Sequence, residues 1–229
     1  MLPRIKDLIL RTRSFVVAPG VVALSAVAAL SFPVAASAAP ATVTYNNSAT
    51  ASSQTNGKNV FVLKYQAEET ATSTLNAKNQ ALASTSHCAN CAASGVAFQV
   101  IFVSKHGPLT INADNQASAT SGSCATCPAL AAAYQIIYAA NQPGLSRFQI
   151  QGLNHVHSEL IALQFTGLTG AKLQDRTDAI AQEAVGVLSN GPNPIPVITP
   201  AINNTGDPAQ LTENNGPFID LLIKSQQKG

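Results

Sequence analysis

Two stretches of this chain are copies of one another, and the duplication limits the fold more than any other feature. Asn76 to Val103 reads NAKNQALASTSHCANCAASGVAFQVIFV, and Asn112 to Ala139 reads NADNQASATSGSCATCPALAAAYQIIYA. Without a gap, at a constant offset of 36 residues, Asn79-Gln80-Ala81 matches Asn115-Gln116-Ala117. Cys88 and Cys91 match Cys124 and Cys127, and Phe98-Gln99-Val100-Ile101 matches Tyr134-Gln135-Ile136-Ile137. Agreement at so many positions marks a duplicated structural unit. A fainter copy lies upstream. Asn47-Ser48-Ala49-Thr50-Ala51 resembles the start of each unit and Val60-Phe61-Val62-Leu63-Lys64-Tyr65 its end, with Asn56-Gly57 where the others carry cysteines.

Asn-Gly between two extended runs is a strong hairpin signal, because both turn residues tolerate positive φ. Each unit therefore reads as a strand, a reversal and a second strand paired back on the first, with the Cys pair in the reversal. Side-chain alternation points the same way: Val96, Phe98, Val100 and Phe102 share one face, as do Leu130, Tyr134, Ile136 and Tyr138. Pro128 followed by an Ala-rich run also reads as a helix start, so a βα repeat with each Cys pair at a helix N-terminus stays open. Either way the fold class is α+β, since the pattern changes downstream. Leu153, Val156, Leu160, Leu163 and Phe165 form a helical stripe. Leu173, Ile180 and Val187 form a second, ending at Asn190-Gly191-Pro192. The two helices should make a hairpin packed on the repeats. Gly191 to Pro208 reads as an extended Pro-rich linker, and the apolar run Phe218 to Ile223 either docks on the domain or reaches a partner.

The N-terminus reads as an export signal. Arg4, Lys6, Arg11 and Arg13 precede an uncharged run from Ser14, closed by Ala36-Ser37-Ala38, so cleavage is expected before Ala39. The alternative is an anchor over Phe15 to Val34, long enough to cross a bilayer but interrupted by Pro19, Gly20 and Pro33. Removing four basic residues and one acidic residue from the chain's 13 and 11 leaves nine against ten. That near-neutral remainder has no basic patch for nucleic acid. The expected organisation is a signal peptide at 1–38, a repeat domain at 39–145 with units at 47–65, 76–103 and 112–139, a helical hairpin at 146–190, and a linker and tail at 191–229.

The recurring pattern is an Asn, an Ala five residues on, Cys-x-x-Cys, then Ala-[Phe/Tyr]-Gln-[Val/Ile]. It resembles a cysteine-repeat region near the C-terminus of actinobacterial proteins labelled peptide zinc metalloproteases. The similarity spans about Asn47 to Asn190. The His-Glu-x-x-His zinc helix of such proteases is missing from this chain, so the resemblance implies a shared module and not protease activity.

Three chemistries are open to Cys88, Cys91, Cys124 and Cys127. Export favours disulfides, either within each motif or across the repeats. Two C-x-x-C knuckles also match a four-thiolate zinc site, with His87 as a spare ligand. Thiol–disulfide exchange would need one thiolate of depressed pKa. Neither motif is followed by His, against c-type haem attachment. His155 and His157 fall about 200° apart on a helix and read as surface groups. Glu68-Glu69, Asp175 and Asp178 read as solvated charges. The expectation is an exported, non-enzymatic interaction or structural module with two local disulfides and no cofactor. Its partner would be a protein or cell surface, with no nucleic acid and no membrane once the signal is removed. A thiol-redox or zinc-binding protein is the alternative.

Overall fold

The computed structural model describes residues 13–15, 42–122, 126–190, 197–198, 209–213 and 218–228. In chain order these form β1 (Arg13–Phe15), β2 (Thr42–Ser53), β3 (Asn59–Thr70), β4 (Thr74–Thr85), β5 (Ala92–Ser104), β6 (Leu109–Ser121) and β7 (Ala129–Ala140). Two helices follow, α1 (Arg147–Leu163) and α2 (Gly170–Ser189), then β8 (Val197–Ile198), β9 (Ala209–Glu213) and β10 (Phe218–Lys228). The class is α+β.

Successive strands from β2 to β7 alternate between two sheets. One has the order β2-β4-β6-β9, the other β1-β3-β5-β7-β10-β8. Within each sheet the repeated strands run parallel and in register, so equivalent residues of the units are direct neighbours: Asn79 opposite Asn115, Phe98 opposite Tyr134. The faint upstream unit stacks likewise, Asn47 on Asn79 and Tyr65 on Phe98. Strand, turn and strand thus make one coil, and three coils stack as a short two-sheet solenoid, each burying its faces against the next.

Paired hairpins are therefore not what the reversals make. The strands flanking each reversal bond to the coils above and below, not to each other. A two-residue turn joins hydrogen-bonded strands of one sheet about 4.8 Å apart, whereas here the flanking strands belong to two sheets that face each other across an Ala-lined gap. The segments 54–58 and 86–91 are long enough to cross that gap. Gly57 still takes the positive φ that its Asn-Gly turn requires (68°). The helical alternative after each Cys pair is also overturned, since β5 and β7 are strands throughout.

The faces differ in chemistry. Between the sheets lie small residues, Ala49, Ala81, Ala93, Ala97, Ala131 and Ala133 among them. Leu75, Ile101, Ile111 and Ile137 fill the far end. The outer face of the β3-β5-β7 sheet carries the bulky set, Phe98, Phe102, Tyr134 and Tyr138, beneath the helices. Both faces of β5 and β7 are consequently buried, as covered parallel strands require. The opposite sheet shows water a polar face that includes Lys78 and Gln80.

Ser146 starts α1 with a capping box. Its hydroxyl accepts from the Gln149 N–H, and the Gln149 side chain accepts from the Ser146 N–H. Leu153, Val156, Leu160 and Leu163 face Leu173, Ile180, Ala184 and Leu188 of α2 in one core. Phe165, assigned above to the buried stripe, is 80% exposed because α1 ends at Leu163. The tail docks: β10 lies antiparallel along β7 and β9 along β6, closing the C-terminal end of the stack. Of the linker expected over Gly191 to Pro208, all but Val197–Ile198 lies outside the described residues. Among the described residues no helix is long and apolar enough to cross a membrane.

Candidate functional site

The reversals stack at one corner, and the cysteine-free first turn supports the second. Gly57 N–H donates to the Ala89 carbonyl at 2.9 Å, and Ala89 N–H donates to Asn56 Oδ1 at 2.8 Å. His87 and Asn90 adopt positive φ there (55° and 53°), tightening the turn so that Cys88 and Cys91 meet. They form a disulfide with Cα atoms 6.1 Å apart, within the usual range for such bridges. Cys127, fully buried, is also disulfide-bonded. Cys124 lies outside the described residues. The Sγ atoms of Cys88, Cys91 and Cys127 all lie within 4.8 Å of one another. Cys127 Sγ is 3.2 Å from the Cys88 carbonyl oxygen. An oxidised sulfur has no proton to donate, so this is a packing contact.

Zinc ligation needs thiolates, which oxidised sulfurs do not offer, whereas a disulfide enters exchange as the group that an incoming thiolate attacks. The bridge that is shown closes within one turn, so its entropic effect is small. Replacing Cys88 and Cys91 together by Ser should cost about 2 kcal/mol or less, read from urea midpoints.

A second set of polar side chains sits inside the solenoid. Asn47 Nδ2 donates to Asn79 Oδ1 at 2.8 Å, and Asn79 Nδ2 to Asn115 Oδ1 at 2.9 Å. Across the gap, Gln135 Nε2 donates to Gln99 Oε1 and Gln99 Nε2 to Gln66 Oε1, each at 2.7 Å. These are carboxamide ladders of the kind that stabilise stacked identical strands. They run in opposite senses, and each ends on an acceptor. Asn47 Oδ1 at the first coil and Gln135 Oε1 at the last are buried without a partner. At the C-terminal end the Asn115 amide is satisfied by the Leu222 carbonyl of β10 at 2.9 Å. The sequence signal was available: these amides recur at the repeat offset within Ala-rich strands.

The first coil departs from its neighbours. Lys64 and Glu68 stand in register with Ala97 and Ile101, which line the gap between the sheets. Glu68, read above as solvated, is half-buried; burial raises its carboxyl pKa, partly offset by the Gln66 hydrogen bond. The folded state thus favours the protonated acid more than the unfolded chain does. Stability from this group is full below its unfolded pKa and falls as pH rises through the folded one. Glu68→Gln should therefore raise the melting temperature at pH 7, with the gain vanishing near pH 4.

Other candidates have structural partners. Tyr134 Oη donates to Asp178 at 2.6 Å, so Asp178 anchors α2 to β7 and is not a free surface charge. Burial first, then Asp178, hold the Tyr134 phenol protonated well above its ordinary pKa. His157 stacks on Tyr65 with ring centres 4.2 Å apart. His155 points instead toward Glu183 at 3.8 Å, and neighbouring Glu159 is paired with Arg176 at 2.9 Å. Asp175 is exposed on α2.

No family model, no curated protein and no solved structure matches the chain. Its chemistry must be read from its own geometry.

Proposed function

We propose that the chain is an exported, non-enzymatic structural or interaction module, a disulfide-stapled solenoid that presents a rigid surface to a protein or cell-surface partner. The observation that carries this reading is the oxidised cysteine corner. Disulfides persist in oxidising compartments and are rare in the cytosol. The carboxamide ladders support it as well, because each ties the three coils together through side-chain hydrogen bonds inside the core. The resemblance to the cysteine-repeat region fits a module used in more than one protein. A zinc or thiol-redox role is the second reading: once reduced, the three Sγ atoms that lie within 4.8 Å of one another would converge on one ion or react with an incoming thiol.

Intact mass of the secreted protein, alkylated under denaturing conditions without reductant, tests both. The expected result is a chain beginning at Ala39 with no adduct. Four adducts, with zinc bound in a native spectrum of the untreated protein, would replace the leading reading by the metal site, and partial alkylation by redox turnover.

A further inference from the structure

We propose that the outer edge of β2 is a docking site for one extended, uncharged strand of a partner polypeptide, which adds to the sheet and donates a carboxamide N–H to Asn47. The proposal rests on the interaction-module reading and names its surface.

β2 is 12 residues long and, among the described residues, pairs on one side only, with β4. From Thr42 to Ser53 it contains no charged residue, no Pro and no Gly. Proteins guard exposed edges with inward charges, prolines, bulges or covering segments. The other edge of this coil is guarded by inward charge. β3 carries Lys64 and Glu68 where later coils have small or apolar residues; the residues 13–15 that lie along 63–65 leave with the signal in the secreted chain. A further whole coil, including one from a second copy of this chain, would bury both charges. A lone strand along β2 would not.

Asn47 says what that strand must offer. It is 3% exposed, and its Oδ1 has no hydrogen-bond partner. Asn79 and Asn115 use the same atom to accept from the coil before them. The missing group is therefore a donor on the open side of β2, in the parallel register by which β2 itself meets β4. Residues 16–41 contain neither Asn nor Gln, so the chain's own preceding segment has no carboxamide to give. Strand addition of this kind draws affinity from main-chain bonds and specificity from alternate side chains.

The probe is a fluorescent peptide with the sequence of residues 42–53, whose own Asn makes this contact on Asn79. Titrated with the secreted protein, it should bind saturably, and its Asn47→Leu version should bind about 10-fold or more weakly, the loss expected when a buried acceptor is left unsatisfied. Hydrogen exchange should slow within 42–53 and stay unchanged within 59–70. Equal binding of the two peptides, no saturation at millimolar concentration, or protection of β3 or β10 would overturn the proposal. So would a protein that sediments as a dimer with β2 already protected, which gives the edge to a second copy. Protection of β2 only in protein retaining residues 1–41 gives it to the chain itself. Blocked cysteines with no peptide binding would remove this inference and leave the module reading standing.

Discussion

Asn79→Ala should destabilise the protein by about 3–6 kcal/mol, a large fraction of the stability of an ordinary domain. Asn79 accepts from Asn47 and donates to Asn115 Oδ1 and to the Tyr134 carbonyl, both at 2.9 Å. Truncation strands two or three buried polar groups at about 1–3 kcal/mol each. Asn76→Ala supplies the control. Asn76 is also repeated, and accepts from Asn112 at 2.8 Å, but it lies on the solvent face. Its loss should cost about 0.5 kcal/mol. Urea melts of both variants check the contrast, and equal effects would mean that the inner ladder does not exist.

Gly95→Val should be nearly as damaging. A Cβ at Gly95 would run into the Leu82 backbone carbonyl of the facing sheet and come within 3.5 Å of the Ala49 carbonyl oxygen. Backbone cannot yield as a side chain can, so the sheets must part. The expected cost is about 3 kcal/mol or more, at or above the usual range for overpacking. The restriction is local, because Val62 and Ala131 occupy the same register in the coils on either side. Ala131→Gly should accordingly cost only about 1 kcal/mol, the strand-interior penalty of glycine. A wild-type urea midpoint for Gly95→Val would show that the sheets do not approach there.

Alternation revealed the strands and a bulky face that Phe98 and Tyr134 share, but not that this face lies outside the two-sheet gap and the Ala97 and Ala133 face inside it, nor which strands are neighbours. A hairpin and an arch between two sheets share the same period of two; only the partner changes. Asn56-Gly57 misled because its backbone preference is local and equally serves a wider reversal. The helical pair was legible from its seven-residue spacing, Leu173 to Ile180 to Val187, while Phe165 extended an apolar count past a helix end set by backbone geometry. Glu68 and Asp178 were misread because charge suggests solvent, and their burial depends on distant residues. The functional edge is less visible still. Nothing in the string TVTYNNSATASS says which side of it is left unpaired.

The stacking itself is the claim on which everything else depends, and backbone nuclear Overhauser contacts in isotope-labelled protein test it most directly. The solenoid predicts contacts between β4 and β6 and between β5 and β7 at a constant separation of 36 residues, Asn79 to Asn115 and Gln99 to Gln135 among them. Contacts running antiparallel between β4 and β5, with Thr85 opposite Ala92 and the series widening from there, would instead show paired hairpins and contradict the account.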